Sequence, residues 1–277
     1  MAAPFRGAPL SFHQAASQGN PIQRHNNHLY VWDDRFLYIT PGMTSGITQR
    51  HTVTLLVSLD GGGFTLGDTA GRTTRYQAAL VGHNIARSLE TPDSPLLSLN
   101  FDPQSYEFHT LSAFLGDQSV RAVILEDTAL NPDEINAVGQ GTLDKASLFR
   151  LTTRLARALS GYRPLRIPMD MRTLHLARKI KEELPLVSTT AELAQQVGLS
   201  PDRLTHLFSE NLGLSIKSYI LWARMRRSVE LIGRQESLSN IALEVGFSDS
   251  AHLARTFRQF FGLPPSYVAN GMTVHML

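Results

Sequence analysis

Histidine is the residue type through which this chain could bind a catalytic metal ion. The 277 residues include ten histidines and no cysteine, so thiolate nucleophiles and cysteine-ligated metal sites are excluded. A catalytic zinc site needs three protein ligands at suitable spacing, yet neither His-x-His nor His-Glu-x-x-His occurs. Isolated histidines are more often structural residues than ligands, so the sequence predicts no metal, no cofactor and no enzymatic activity. Six histidines lie in the first part of the chain: His13, His25, His28, His51, His83 and His109.

Basic residues are concentrated in the second part of the chain. Residues 1–160 include 12 Lys or Arg against 14 Asp or Glu, whereas residues 161–277 include 14 against 10. A local basic excess is expected of a surface that contacts a polyanion such as nucleic acid. No apolar run approaches the roughly 18 residues that a membrane helix needs, and the first residues lack the pattern of a signal peptide. We therefore expect a cytoplasmic protein without a membrane partner.

Short runs of aromatic and β-branched residues predict strands over the first 120 or so residues. The strongest run, 51–59, ends in Asp60-Gly61-Gly62-Gly63, which we interpret as a hairpin turn. The short spacing of the runs favours a sandwich or a small barrel over alternating strands and helices. The other predicted strands are 29–32, 36–39, 64–66, 76–81 and 96–101.

The pattern changes to helix after about residue 130. In the predicted helix 143–159, Leu148, Leu151, Leu155 and Leu159 form a stripe, which indicates either core packing, the favoured interpretation, or a subunit interface. Two prolines in 161–169 predict a linker. The fold class is therefore α+β, and the sequence predicts a β-rich domain (1–130), a helical dimerisation region (131–160), a linker (161–169) and an all-α domain (170–277).

The all-α part contains an internal repeat. Residues 193–200 match residues 241–248, and Leu204, Phe208 and Gly213 then match Leu253, Phe257 and Gly262. Each copy has the form of a helix-turn-helix: a short helix, a turn with glycine, and a capped second helix. One face of each second helix is apolar, which leaves the opposite face free to enter a DNA major groove. The helices are predicted at 171–184, 191–197, 201–212, 216–232, 241–245 and 250–261.

The repeat resembles the DNA-binding domain of the AraC/XylS-type regulators, over residues 170–270. The resemblance rests on Ala194, Gly198-Leu-Ser200, Leu204, Phe208 and Gly213 in the first unit. In the second unit it rests on Val245-Gly-Phe-Ser-Asp249, Phe257-Arg258 and Phe260-Phe-Gly-Leu-Pro-Pro-Ser-Tyr267. Two matches joined by the predicted helix 216–232, roughly 25 Å long, are far more specific than one. That helix could hold the two second helices about one DNA turn, ~34 Å, apart on one face of the duplex.

The resemblance implies which side chains read bases. Arginine can bind guanine O6 and N7 through two hydrogen bonds, and histidine can donate or accept at a base edge. The alternative is that Arg203 and Arg255 contact only phosphate. We expect phosphate contacts from Lys217, Arg224 and the backbone amides near Thr190 and Ser239. The implied base-reading positions are Asp202, Arg203, Thr205 and His206 in the first unit, and Ser250, Ala251, His252, Ala254 and Arg255 in the second.

The family also implies a role for the rest of the chain. Its members use an N-terminal sensor domain, often a cupin-like barrel, so we expect a bacterial, nucleoid-associated homodimer that activates transcription with RNA polymerase in response to a small-molecule effector. A ligand-independent regulator, whose β-domain only dimerises or binds a protein partner, is the alternative. A metal-dependent cupin enzyme is a third and weaker interpretation. For an anionic effector the available cations are Arg50, Arg72, Arg75 and His83.

Overall fold

The computed structural model describes residues 27–125, 130–160, 170–184 and 188–277. Its strands pair into a seven-stranded sheet and a four-stranded sheet. The strands are β1 (His28–Val31), β2 (Arg35–Thr40), β3 (Met43–Gln49), β4 (Val53–Ser58), β5 (Phe64–Gly67), β6 (Thr73–Tyr76), β7 (Ala78–Val81), β8 (Ala86–Thr91), β9 (Leu96–Phe101), β10 (Val120–Ala122) and β11 (Thr273–Met276). The order is β10-β7-β4-β9-β2-β1-β11 in the larger sheet and β3-β8-β5-β6 in the smaller. The α+β fold class is confirmed, with a β-rich region before a helical one.

The helices follow the strands in sequence, apart from one early helix and the final strand. They are α1 (Tyr106–Leu115), α2 (Pro132–Gly139), α3 (Lys145–Ser160), α4 (Met171–Glu182), α5 (Thr190–Gln196), α6 (Pro201–Leu212), α7 (Ile216–Gly233), α8 (Leu238–Glu244), α9 (Ser250–Phe261) and α10 (Pro265–Gly271). We call residues 27–125 the β-domain, α5–α6 the first unit and α8–α9 the second unit. The predicted linker 161–169 lies outside the described residues.

Two details of the predicted β region are wrong. The turn Asp60-Gly61-Gly62-Gly63 does not close a hairpin, because β4 pairs with β7 and β9 in one sheet while β5 pairs with β6 and β8 in the other. The turn instead carries the chain from one sheet to the other, and Gly61 and Gly63 supply the positive φ values that this needs. The predicted strand 76–81 is also divided, since β6 and β7 belong to different sheets.

The leucine stripe of α3 packs into the chain's own core. All four leucines are buried in a cluster with Phe108 of α1 and with one face of the larger sheet. The core interpretation is therefore confirmed, and the stripe is not available as a subunit interface. The buried Arg35 of β2 also connects the sheet to α1 and α3 through hydrogen bonds. Its guanidinium donates to Glu107 Oε1 at 3.0 Å and to Thr152 Oγ1 at 3.2 Å.

The second unit shares one apolar core with the β-domain. The first unit has a cluster of its own, built from α4, α5, α6 and the start of α7. The core of the second unit instead runs without interruption into the sheets and includes Trp222, Val229 and Phe257 beside Val31 and Phe36. Helix α7 contributes to both clusters, so it connects the two units physically as well as in sequence.

Candidate functional site

The first unit is held by a regular set of helix caps. Thr189 accepts from the Glu192 amide while the Glu192 carboxylate accepts from Thr189, which makes a capping box at the start of α5. Ser200 Oγ accepts from the Arg203 amide at 3.3 Å and begins α6. Leu204 and Phe208 are fully buried beneath α6. The helix is therefore fixed from its apolar side.

The opposite side of α6 presents the residues predicted to read bases. Asp202, Arg203, Thr205 and His206 are all exposed. The Thr205 hydroxyl donates to the Pro201 carbonyl at 2.9 Å, so its methyl group is the part left for a partner. The structure thus brings these four side chains together on one solvent-facing surface of the helix, as expected for a recognition helix.

The second unit repeats this construction with a stronger cap. Asp249 Oδ1 accepts from the His252 amide at 2.7 Å and begins α9, and that backbone hydrogen bond is the main reason why the pKa of Asp249 is lowered. The His252 ring lies edge-on to Phe247 at 5.0 Å between ring centroids. Leu253 and Phe257 are fully buried. His252 is consequently positioned before any partner arrives.

The exposed face of α9 extends further along the helix than the positions predicted from the sequence. Ala251, His252 and Arg255 are exposed, while Ser250 and Ala254 are partly buried. Arg258 and Gln259 are exposed on the same side, three and four residues beyond Arg255. Helical spacing alone could have identified these two, since neither falls on the apolar positions of the helix.

Helix α7 joins the units, and the two basic residues predicted on it are placed differently. Lys217 is exposed in the first turn. Arg224 is partly buried and donates to the carbonyl of Gly246, in the turn of the second unit, at 3.0 Å. Gly246 has φ +82°, so that turn depends on glycine. Arg224 therefore fixes α7 to the turn; whether it also contacts phosphate stays a prediction, as do the other DNA contacts.

The cations predicted for an effector do not lie together. Arg72 forms an ion pair with Asp68 at 2.7 Å, and Arg75 donates to the Gly62 carbonyl, both on the exposed side of the β5–β6 hairpin. His83 packs against Phe108 at 5.2 Å between ring centroids. Arg50 is different, because it lines a cavity between the β-domain and the second unit.

That interdomain cavity is apolar apart from two buried guanidinium groups. Arg226 forms an ion pair with Asp102 at 2.6 Å. Arg50 donates to Asn100 Oδ1 at 3.2 Å and to the Phe261 carbonyl at 3.3 Å, and its Nε has no partner. Burial lowers the pKa of Arg50 to about 10, which leaves it charged at neutral pH. The free volume is about 50 Å³, and the other lining residues are Leu29, Val31, Phe36, Tyr38, Met43, Trp222, Val229, Phe257, Phe261, Leu263, Val268 and Met272.

The described residues contain neither a cluster of metal-binding side chains nor a membrane-spanning helix. Within residues 27–125, 130–160, 170–184 and 188–277, no three His, Asp or Glu side chains are arranged so that they could bind one metal ion. In the same ranges, none of the helices combines the length and the apolar character needed to cross a membrane.

Comparison with known proteins identifies the helical region. A family model described as a helix-turn-helix domain matches residues 193–270. The Msm operon regulatory protein of Streptococcus mutans is 40% identical over 76 residues, 27% of this chain and 27% of that protein. The arabinose operon regulatory protein of Escherichia coli is 33% identical over 101 residues, 36% of this chain and 35% of that protein. The match thus spans about a third or less of these relatives, both of which are operon regulatory proteins.

Solved structures extend the likeness to the whole fold. A crystal structure of ToxT from Vibrio cholerae covers 86% of this chain and 98% of its own, with a TM-score of 0.56 at 15% identity. ToxT bound to (E)-4-(8-methylnaphthalen-1-yl)but-3-enoic acid gives 0.55 at 14% identity, and covers 85% of this chain and 98% of its own. Both share the order of a β-rich region followed by a helix-turn-helix region. Residues 193–270 thus form a helix-turn-helix domain that is similar to those of AraC-type transcription regulators.

Proposed function

We propose that this chain regulates transcription by reading two adjacent major-groove segments of a promoter duplex. The observation that carries the proposal is the pair of capped helices, α6 and α9, each with a buried apolar side and an exposed polar side. Arg203 and His206 on α6, and His252 and Arg255 on α9, are the side chains we assign to base edges.

The geometry of α7 supports simultaneous binding by both units. Its 18 residues give a length of about 27 Å at the usual rise, while successive major-groove segments on one face lie ~34 Å apart. Because α7 is packed into the cores of both units, it can act as a rigid spacer. A flexible connection would instead let the units bind independently.

A basic protein that reads DNA in this way should lose affinity as salt rises. We expect the full chain to select a preferred sequence from a random pool of duplexes, and to bind it with a steep negative dependence on salt. Measuring affinity for the selected duplex and for a scrambled duplex between 50 and 200 mM salt, roughly the range over which phosphate contacts weaken strongly, tests this. Equal affinity for both duplexes at physiological salt would contradict sequence-specific reading.

We further propose that the interdomain cavity is the effector site, within a cupin-like sensor, and that the effector is an apolar molecule with an acidic head. Arg50 is a buried cation that, among the described residues, has no carboxylate partner, and the walls around it are apolar. ToxT, with the same fold, has been solved bound to an unsaturated fatty acid. The free volume of the cavity is about 50 Å³, which is too small for a fatty acid. Binding of such a ligand would therefore push the second unit away from the sheet.

A thermal-shift titration of the full chain distinguishes a regulator that binds an effector from a ligand-independent regulator. Oleate should give saturable stabilisation, and its methyl ester should give much less because it has no charge for Arg50. Arg50→Met should abolish the difference between the two, whereas Arg72→Met, on the exposed hairpin, should preserve it. No saturable shift with oleate would favour the ligand-independent alternative.

The remaining parts of the proposal follow from the family. We propose that the regulator works in the bacterial cytoplasm as a homodimer on the nucleoid, and that it activates transcription through RNA polymerase. With the α3 leucines buried, a dimer would have to use another surface. Sedimentation of the full chain with and without the selected duplex tests the dimer.

A further inference from the structure

The last strand of the chain is inserted beside the first strand of the β-domain. β11 runs parallel to β1, with His28 paired with Thr273 and Val31 with Met276. The Thr273 amide donates to the Asn27 carbonyl, and the Leu277 amide to the Val31 carbonyl, each at 2.9 Å. Because β11 directly follows α10, and α10 follows the second unit, this pairing connects the helical region to the β-domain.

Two histidines face each other across this pairing. His28 Nδ1 and His275 Nε2 are 3.0 Å apart, so one ring must donate and the other must accept. The His275 ring stacks on Tyr30 at 4.5 Å between centroids. His28 is only 6% exposed, and the chain passes so closely at Gly141 that a Cβ there would lie 2.8 Å from its ring. The two rings therefore have little freedom to turn away from each other.

In the part of the chain that the structure describes, the contacts of the two rings include no charge that would balance a protonated pair. Among the described residues, no carboxylate, lysine or arginine forms a hydrogen bond or an ion pair with either ring. The titratable group stacked on the pair is the phenol of Tyr30 on β1, whose pKa burial raises to about 12 and whose hydroxyl donates to the Val138 carbonyl of α2 at 2.7 Å. Tyr38 is paired with Leu29, so it projects from the opposite face of the sheet. On the side of β11 that faces α7, the Val274 side chain lies against Gly233.

We propose that the His28–His275 pair is a proton-operated latch that releases β11 from β1 when the pair takes up a second proton. The neutral pair has one N–H between the two facing nitrogens. A further proton on the accepting nitrogen would set two N–H groups against each other and leave an uncompensated charge in a partly buried site. The latch rests on the proposed regulatory function, since it would set how freely the second unit moves relative to the β-domain.

The direction of the pH dependence follows from the pKa values. Burial lowers the pKa of both rings below the ordinary value of 6.5, and the charge of His275 lowers that of His28 further. Released rings titrate near 6.5, so protons bind the released strand better than the docked one. Docking is therefore complete above about pH 6.5 and is lost as the pH falls below it.

Hydrogen exchange of the full chain tests the latch without DNA. The backbone amides of 273–277 should be protected at pH 8, and at pH 5.5, one unit below 6.5, their protection, corrected for intrinsic exchange, should fall by up to about tenfold for each histidine whose pKa is lowered on docking. His275→Phe keeps a ring to stack on Tyr30 but cannot take up a proton, so its protection should depend less on pH than that of the wild type, since only His28 can then be protonated. His175→Phe, on the exposed face of α4, is the matched control and should behave like the wild type.

Several outcomes decide against the latch. His109 is buried, His51 and His83 are partly buried, and burial lowers the pKa of all three, so an equal acid response in the wild type and in His275→Phe would place the cause elsewhere. Should His275→Phe fail to dock at pH 8, His28→Gln gives the same comparison. Wild-type protection that persists at pH 5.5 overturns the latch whatever the variants do. None of these results depends on DNA binding, so the proposed regulator function would stand or fail separately.

Discussion

At the scale of residues, the proposed function assigns base recognition to single side chains of each unit. Arg255 is exposed in the middle of the reading face of α9, and its neighbours on that face are the fixed His252 and the exposed Gln259. We expect Arg255→Ala to cost about 1–3 kcal/mol of binding free energy and to relax specificity at one base pair. The measurement is the affinity of the full-length variant for the selected duplex and for duplexes changed at single positions.

Arg157, exposed on α3, provides the control for that experiment. Arg157→Ala removes the same charge from a surface without a reading helix, so it should leave the sequence preference unchanged. If Arg255→Ala instead weakened binding equally on every duplex, Arg255 would contact phosphate and not a base.

At the scale of elements, side-chain caps fix where the two second helices begin. Ser200 accepts from the Arg203 amide and begins α6, whose first two turns hold the residues that we propose to read DNA. We expect Ser200→Ala to reduce the free energy of unfolding by about 1 kcal/mol, measured by urea denaturation. Ser200→Asn retains a side-chain acceptor and should cost much less. Equal losses in both variants would show that the hydroxyl acts in some other way.

The elements that the sequence predicted well are those with local signals. The helices of both units carry caps, turn glycines and apolar residues four apart, and their observed bounds lie within three residues of those predicted. Helix α1 was missed because His109, Thr110 and Ser112 interrupt its apolar pattern. β3 was missed because Thr44, Gly46 and Gln49 are exposed at a sheet edge. β11 depends on a partner more than 240 residues away in sequence, which no local pattern can reveal.

The same distinction applies to the candidate site. The residues that we propose to read bases lie on the exposed side of a short helix, so their placement could be predicted from spacing. The cavity could not, because Arg50 and Trp222 come together only when the second unit packs onto the sheet. The predicted division at 161–169 likewise gave no indication that the second unit and the β-domain share a core.

At the scale of the whole molecule, the Arg226–Asp102 ion pair fixes α7 to the β-domain. Both side chains are almost fully buried, and Arg226 also donates to the Trp32 carbonyl. Removing one partner leaves the other charge buried, so we expect Asp102→Leu or Arg226→Met to cost about 3–5 kcal/mol of stability. The double variant should recover much of this loss in urea denaturation. Single variants that cost less than about 1 kcal/mol would mean that solvent reaches the pair.

The central claim is that one chain reads two major-groove segments on the same face of the duplex. Hydroxyl-radical footprinting of the full chain on its selected duplex should show two protected segments about one helical turn apart. Arg203→Ala should weaken protection of one segment, and Arg255→Ala that of the other. A single protected segment in the wild type, affected equally by both variants, would contradict the account.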